Sequence, residues 1–212
     1  MVSWERQNGT RQRWPSPRSP RPRGRNYGVE RHRVVRNETE VVVRDAERSD
    51  IPELIRVTRE TFAMACPPST APDAIEEYLR EHATEPSFEQ FIANPQTDVL
   101  VACFESSVAG YAILAQNAPP SIQSAGPWTE LSKCYVRSAY HGRGIAGALM
   151  DEATRRAGRQ RATGMWLSVS EENGRAIAFY RKHGFEEFGR TEFAVASEIH
   201  RDLIMVRSLG SL

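Results

Sequence analysis

The sequence contains few cysteines and no long apolar run. Its three cysteines, Cys66, Cys103 and Cys134, show neither Cys-x-x-Cys spacing nor histidine partners. This pattern argues against a zinc site and is typical of a reduced, cytoplasmic compartment. No stretch approaches about 18 consecutive apolar residues, so the sequence predicts no membrane span. The N-terminal residues carry charges and prolines without an apolar core, unlike a secretory signal peptide. We therefore expect a cytoplasmic protein with no metal.

Charge is distributed unevenly, although the net charge is only +1. Residues 1–36 hold ten arginines and two acids, a balance of +8, so the remainder carries +1 minus 8, or −7. Such an Arg- and Pro-rich segment cannot bury enough apolar surface to fold. We expect a disordered basic tail at 1–38 and one folded domain at 39–210. The tail is a solvated extension, sequence translated from a mis-assigned start, or a nucleic-acid-binding arm. Because it lacks interleaved aromatic residues, nucleic acid is not the partner we favour.

The apolar pattern predicts a mixed α/β (α+β) fold. Alternating and helical periodicities give a strand, two helical regions, a three-strand meander, then strand and helix in alternation, and two final strands. A sheet covered by helices follows from that order. The predicted elements are a strand at 41–43, a helix capped by Ser49, a helical region at 72–93 broken near Pro86, strands at 98–105 and 108–115, a loop at 117–127, a strand at 128–136, a helix at 142–158, a strand at 165–169, a helix at 173–183, and strands at 185–195 and 203–206.

A glycine-rich turn separates the strand that ends at Val136 from the helix that follows. The turn reads His141-Gly142-Arg143-Gly144-Ile145-Ala146. Glycines let a backbone approach a ligand closely, and the first N–H groups of a helix point at the turn before it. Together they make a site suited to a pyrophosphate. Neither a Gly-Lys-Ser/Thr sequence nor GxGxxG spacing is present, so this is not a nucleotide-binding loop of those types.

A second motif follows the next strand. It opens with Asn173, continues through Ala176, Phe179 and Tyr180, and closes with Gly184-Phe185. With both motifs in this order, the chain resembles the GNAT superfamily of N-acetyltransferases. The cofactor loop of that family reads Gln/Arg-x-x-Gly-x-Gly/Ala, and its second motif reads Asn-x-x-Ala-x-x-Phe-Tyr-x-x-x-Gly-Phe. Only His141, in place of Gln or Arg, departs from the pattern, and Arg143 is a candidate for the missing cation.

The resemblance implies a fold and a cosubstrate. It implies a mostly antiparallel sheet of about seven strands, splayed at the cofactor site by a β-bulge and flanked by about four helices. The cosubstrate is acetyl-CoA, held at its pyrophosphate by the backbone of the loop and at its pantetheine by main-chain groups of the preceding strand. The implied cofactor-binding residues are Cys134, Val136, His141, Gly142, Arg143, Gly144, Ile145, Ala146, Asn173, Tyr180 and Lys182.

Transfer of an acetyl group to an amine requires two proton transfers. The family places the acid that protonates the leaving thiolate at the position of Tyr180. It often places a base six residues upstream of the strand's last valine, here Glu130, which alternation puts on one face with Ser132, Cys134 and Val136. Glu130 is either that base, acting through water, or a binding group for a cationic substrate. Cys134 has no adjacent histidine and reads as a core residue, and His200 and Asp202 are candidates to line the acceptor pocket.

The acceptor is less well specified than the chemistry. Short pieces such as Glu60-Thr61-Phe62, Asn94-Pro95 and the final 201–206 look most like the PaiA-like polyamine acetyltransferases. We expect a primary amine, best a polyamine or another small cation, to attack acetyl-CoA directly in a ternary complex. The alternatives are a protein N-terminal or lysine acetyltransferase, and a CoA-sensing regulator that uses its tail on nucleic acid. We expect a monomer or a homodimer.

Deletion of residues 1–36 tests the predicted tail. Because these residues have no apolar pattern to pack, the shortened chain should keep its Tm and its affinity for acetyl-CoA. Thermal unfolding and calorimetric titration of the two chains side by side measure both quantities. A large loss of either would show that the segment belongs to the fold.

Overall fold

The computed structural model describes residues 41–105, 107–116 and 126–210. Within these ranges it contains seven strands and five α-helices. The predicted tail at 1–38 and nearly all of the loop at 117–127 lie outside the described residues. The elements are β1 (Val42–Asp45), α1 (Ile51–Ala65), α2 (Pro72–His82), α3 (Glu85–Ala93), β2 (Thr97–Phe104), β3 (Ser107–Gln116), β4 (Trp128–Val136), α4 (Ile145–Arg159), β5 (Gly164–Ser170), α5 (Gly174–Lys182), β6 (Glu186–Val195) and β7 (Glu198–Ser208).

The strands form one sheet in the order β1-β2-β3-β4-β5-β7-β6. Every neighbouring pair is antiparallel except β4 and β5, which run parallel. The mixed, mostly antiparallel sheet of seven strands is therefore confirmed. One face carries α4 and α5 over a core that includes Leu149, Ile177 and Leu203. The other face carries α1, α2 and α3 over two further clusters, which include Leu54 and Phe62.

Three predicted helix boundaries were wrong. The region 72–93 is divided in two, as the break predicted near Pro86 implies, but the break lies earlier, because the chain turns at Ala83 and Thr84 then caps α3 by accepting the Ser87 N–H at 3.3 Å. This raises the helix number to five from the four expected. Helix α1 begins at Ile51 rather than at a Ser49 cap, after a short 3-10 turn. Helix α4 begins three residues after Gly142, since Gly142 and Gly144 both have positive φ.

The final hairpin is longer than its apolar pattern suggests. Strand β7 pairs with β6 from Glu198 to Val206, whereas the sequence predicted a strand only over the buried part, 203–206. Residues 198–201 alternate between half-buried and exposed, and the buried Asp202 is charged, so these residues carry no apolar signal. No helix in the described part of the chain is long and apolar enough to cross a membrane.

Candidate active site

The centre of the site is the place where the two parallel strands separate. Strands β4 and β5 pair only through Trp128–Gly164, Thr129–Met165 and Glu130–Trp166. Beyond Glu130, β4 continues for six residues and β5 for four without a shared ladder. The strands thus open a wedge toward their C-terminal ends, which is the splayed sheet that the resemblance implied.

A β-bulge at Ser132 directs the side chains of β4. Ile113 pairs with Lys133 and Leu114 with Leu131, so Ser132 is the extra residue on β4. Such a residue shifts the alternation of faces by one. The prediction that Glu130 shares a face with Cys134 and Val136 was therefore wrong.

After the bulge, the two faces of β4 hold different chemistry. Leu131, Cys134 and Val136 pack against the core beneath α4 and α5. Glu130, Lys133 and Tyr135 lie opposite Ala115, Ile113 and Tyr111 and so face α1.

The main chain of β4 turns hydrogen-bonding groups into the gap. Arg137 donates its backbone N–H to Ala109 O at 2.9 Å. Because hydrogen-bonded and non-hydrogen-bonded pairs alternate in an antiparallel ladder, the N–H and C=O groups of Val136 and Cys134 then point away from β3. They point to the side from which β5 has withdrawn. An extended ligand with amide groups can pair there as a strand would.

The glycine turn meets the open end of the gap. Gly142 and Gly144 adopt φ of +78° and +81°, a left-handed conformation that side chains rarely take. A Cβ at either position would meet no atom within 4 Å, so the two glycines are needed for backbone conformation and not for packing. Gly144 precedes the first turn of α4, and Ala148 N–H is the first to bond back to it. The amides of Ile145 and Ala146 therefore remain at the helix terminus, where anions bind.

His141 ties the turn to both neighbouring elements. Its Nε2 lies 2.9 Å from Val136 O and its Nδ1 lies 2.8 Å from Arg175 Nη1 in α5. A guanidinium only donates, so Nδ1 accepts and Nε2–H donates to the carbonyl. The imidazole is thus neutral in this arrangement. Arg143 instead lies over the Phe104 ring, 5.1 Å from its centroid. Arg175, which the sequence analysis missed, is the cation that the structure brings to the turn.

Helix α5 carries the second motif. Asn173 caps the helix by accepting the Ala176 N–H at its Oδ1, at 3.1 Å, which leaves its NH₂ group available for a ligand. Tyr180 packs against the core between Phe179 and Phe185, with ring centroids 5.4 and 6.0 Å away. Burial and then the nearby Cys134 thiol raise the pKa of Tyr180 well above its ordinary value, so the phenol keeps its proton at neutral pH.

The side chains of Cys134 and Lys182 are less favourable for a role at the site than the main-chain groups described above. Burial raises the pKa of Cys134 to about 12, which disfavours the thiolate that a covalent acetyl-enzyme would require. Lys182 is exposed at the far end of α5. Seven residues separate it from Arg175, or about 10 Å along the helix axis. Its contact with the pyrophosphate stays a prediction, and the geometry favours Arg175 for that role.

Acidic residues surround the opposite face of the gap, beside α1. Asp202 on β7 is only 7% exposed and accepts a hydrogen bond from Ser168 on β5. Burial, its largest influence, raises the pKa of Asp202 to about 6. Glu171 and, at the end of α1, Cys66 are close enough to interact electrostatically with Asp202. Near them, His200 Nε2 lies 3.3 Å from Glu198 Oε2 and 3.4 Å from Thr70 Oγ1. His200 and Asp202 thus lie near each other on β7, and their place in the lining of an acceptor pocket stays a prediction.

An open groove of about 320 Å³ leads into this region. It lies between the chain that leaves α1 and the first turn of α5. Its lining residues are Met64, Cys66, Pro68, Glu172, Asn173, Gly174 and Arg175. Asn173 and Arg175 lie on the side of the groove next to the glycine turn, and Cys66 lies on the side next to Asp202. Among the described residues, no group of three or more His, Cys, Asp or Glu side chains is arranged to hold a metal ion.

Comparison with known proteins agrees with this geometry. A family model described as the Acetyltransferase (GNAT) family matches residues 61–185. An uncharacterized N-acetyltransferase of Mycobacterium tuberculosis is 34% identical over 161 residues, which are 76% of this chain and 99% of that protein. Another from Lactobacillus delbrueckii subsp. lactis is 25% identical over 171 residues, 81% of this chain and 99% of its own length.

A similar solved structure is the PaiA N-acetyltransferase of Thermoplasma acidophilum in complex with coenzyme A. Its TM-score is 0.68 at 22% identity, and the match covers 80% of this chain and 99% of that one. At this identity the likeness concerns the fold, and it places this sheet with its wedge among folds that have been seen with coenzyme A.

Gly144→Val tests whether the turn binds coenzyme A. A β-branched residue at φ of +81° is strained by about 1–3 kcal/mol, so the native turn should be lost or displaced. If binding requires that turn, the Kd for coenzyme A should rise about 5- to 100-fold. Calorimetric titration measures it, with circular dichroism to confirm the fold. Gly158→Ala, in α4 where an added methyl meets no atom within 4 Å, is the matched control. Equal affinity in all three proteins would remove the turn from the site.

Proposed function

Since this chain belongs to the GNAT acetyltransferase family and is an acetyl-CoA-dependent N-acetyltransferase, we propose that its acceptor is a small cationic amine, with a polyamine as the leading candidate. The observation that carries this proposal is the acidic character of the face of the gap beside α1. Asp202, Glu171, Glu198 and Glu130 all come from the strands or strand ends on that side.

In this proposal, acetyl-CoA enters from the face of α4 and α5. Its pyrophosphate lies on the backbone of the turn from His141 to Ala146, with Arg143 and Lys182 as further candidate cations. Its pantetheine extends along Cys134 and Val136, where the main-chain groups of β4 point into the gap, and meets the Asn173 amide. The thioester then lies near Tyr180. These elements belong to the domain that we propose for residues 39–210.

The wedge sends the two substrates to different faces of the sheet. The acetyl group reaches the gap from the face beneath α4 and α5, and the amine approaches from the face of α1 through the groove beside Cys66. The amine nitrogen attacks the thioester carbonyl, the C–S bond breaks, and the Tyr180 hydroxyl gives its proton to the leaving thiolate. The raised pKa of Tyr180 is compatible with this role, because the donor must be protonated before each transfer.

Charge supports a cationic acceptor. Arg190 lies 2.5 Å from Glu171 and partly neutralises it, whereas Glu198 is bonded to the Ala71 N–H and to His200. Glu171 adds negative charge beside the buried Asp202, which favours a cation in this region. A polyamine can offer one ammonium to this region while another nitrogen reacts. We further propose a cytoplasmic monomer or homodimer that does not act on nucleic acid.

An acceptor screen tests the proposal. Release of the coenzyme A thiol is followed with spermidine, spermine, putrescine, amino acids, aminoglycosides and short peptides, each in low and high salt. A kcat/KM for polyamines at least tenfold above that for peptides is the expected result. A preference for peptides would favour a protein N-terminal or lysine acetyltransferase. Binding of DNA that depends on residues 1–36, without amine turnover, would favour the CoA-sensing regulator.

Tyr180→Phe tests the acid. The change removes one hydroxyl and keeps the ring between Phe179 and Phe185, so stability and the Kd for acetyl-CoA should stay near the wild-type values. Positioned acid–base groups typically contribute about 10²–10⁴-fold in rate, and kcat should fall within that range. Steady-state kinetics with the best amine measure it. Tyr140→Phe, whose ring packs on Phe104, is the control. A wild-type kcat in Tyr180→Phe would refute the assignment.

A further inference from the structure

The reaction also needs a group that takes the proton lost by the amine, and two of the four carboxylates on the acceptor side of the gap, Asp202 and Glu130, are the candidates compared for this role. We infer that Asp202, rather than Glu130, is that proton acceptor. The inference rests on the proposed acetylation of a basic amine. It assigns a catalytic role to a residue on β7 that the sequence motifs do not include.

The position of each carboxylate along the gap distinguishes them. Glu130 pairs with Trp166 at the closed end of the wedge, in the last rung that β4 and β5 share. Cys134, whose thiol interacts with Tyr180, lies four residues after Glu130. Because the bulged residue adds no length to the strand, the distance along β4 corresponds to three residues, or about 10 Å. Asp202 pairs with Ser170, four residues past Trp166, and is bonded to Ser168, two residues past it. Asp202 therefore lies at about the level of Tyr180, and Glu130 lies below both.

The face on which Asp202 lies is fixed by β7. Leu203 and Met205 enter the core beneath α4 and α5. Asp202, Ile204 and Val206 alternate with them and so face the side of α1. Ser168 and Ser170 lie opposite Ile204 and Asp202, on that same face, and Ser168 is exposed at the border of the gap. One strand, about 5 Å, separates Asp202 from that border, which a carboxylate or a single water can bridge.

The surroundings of the two carboxylates favour the same assignment. Glu130 interacts with Lys133, a partly buried lysine on the same face of β4. Burial lowers the pKa of Lys133, and the smaller effect of Glu130 opposes that change. Glu130 therefore has a lysine on its own strand as an electrostatic partner. Asp202 has a different environment, in which burial and Glu171 raise its pKa to about 6. A buried carboxyl group with a raised pKa beside the gap has the properties of a group that takes up a proton near neutral pH.

The pH dependence follows from the groups that face Asp202. His200 comes from β7, Ser168 from β5, Glu171 from the turn after β5, with Arg190 of β6 paired to it, and Cys66 from the end of α1. The ionised carboxylate is the active form. Wild-type kcat should therefore rise as the pH rises through about 6 and level off above it.

The proposed step is balanced. The amine nitrogen forms a bond to the acetyl carbon, its proton passes to Asp202, the C–S bond breaks, and the thiolate takes the proton of Tyr180. Asp202 then loses its proton to solvent and Tyr180 regains one. The products are the acetylated amine and the free thiol of coenzyme A.

Asp202→Asn and Glu130→Gln, compared in parallel, test the assignment. With the best polyamine of the screen, Asp202→Asn should lower kcat by about 10²–10⁴-fold and abolish the rise near pH 6, while Glu130→Gln keeps that rise and loses less than about tenfold. Hydroxylamine is largely neutral at the assay pH, so it does not have to lose a proton before it attacks, and the proton it releases afterwards can pass to solvent; it should therefore lose much less activity in Asp202→Asn. Above pH 6 the Tm of Asp202→Asn should equal or exceed the wild-type value, because the raised pKa of Asp202 shows that its charge is costly there.

Each other outcome contradicts a stated part of the inference. A KM increase for the amine with unchanged kcat and pH profile would make Asp202 a binding group only. Loss of the rise near pH 6 in Glu130→Gln alone would return the role to Glu130. Equal losses with hydroxylamine and polyamine would indicate a structural effect. Absence of turnover with every amine would overturn the proposed function and this role with it, whereas polyamine turnover with a fully active Asp202→Asn would overturn only the role.

Discussion

The separation of β4 from β5 after three shared rungs is the constraint on which the rest of the site depends. Buried backbone N–H and C=O groups require partners, and a sheet that opens in its middle leaves such groups along both borders. Here Val136 O is met by His141, and the Val136 N–H and both main-chain groups of Cys134 point into the gap. A cosubstrate with an extended, amide-bearing arm can complete the ladder. The gap that can take such an arm thus exists because β4 and β5 stop pairing after Glu130 and Trp166.

The bulge at Ser132 gives this opening two chemically different faces. Without the extra residue, Glu130, Cys134 and Val136 would share one face, as simple alternation predicts. With it, Cys134 and Val136 join the core beneath α4 and α5 near Tyr180, while Glu130 and Lys133 turn toward α1. Tyr180, the proposed proton donor, and the acidic groups proposed to receive the amine are consequently on opposite sides of the sheet. In the proposed reaction, Tyr180 and the acceptor of the amine proton therefore act on one carbonyl group from opposite sides and do not exchange a proton directly.

Much of this arrangement could be predicted from the sequence, and the failures have physical causes. Strong apolar periodicity located most of the strands and helices, and the two motifs located the turn and α5. The resemblance implied a bulge, but its position could not be predicted, because Ser132 fits an exposed strand position as well as an extra one. Asp202 was found only as a candidate pocket residue, since its importance depends on burial and on Ser168 and Glu171, which are distant in sequence. Arg175 was missed because an arginine in the first turn of a helix is ordinarily a solvated side chain.

Arg175 also explains how the one departure from the family pattern is accommodated. Where the pattern has Gln or Arg, His141 brings no fixed charge, and its two ring nitrogens are already bonded to Val136 O and Arg175. The imidazole therefore acts as a spacer that holds a guanidinium from α5 beside the turn. A phosphate on the amides of α4 would meet that guanidinium from the neighbouring helix instead of from the loop itself. A positive charge is thus present beside the turn, but it comes from the second motif, and a hydrogen bond between His141 and Arg175 joins the two motifs.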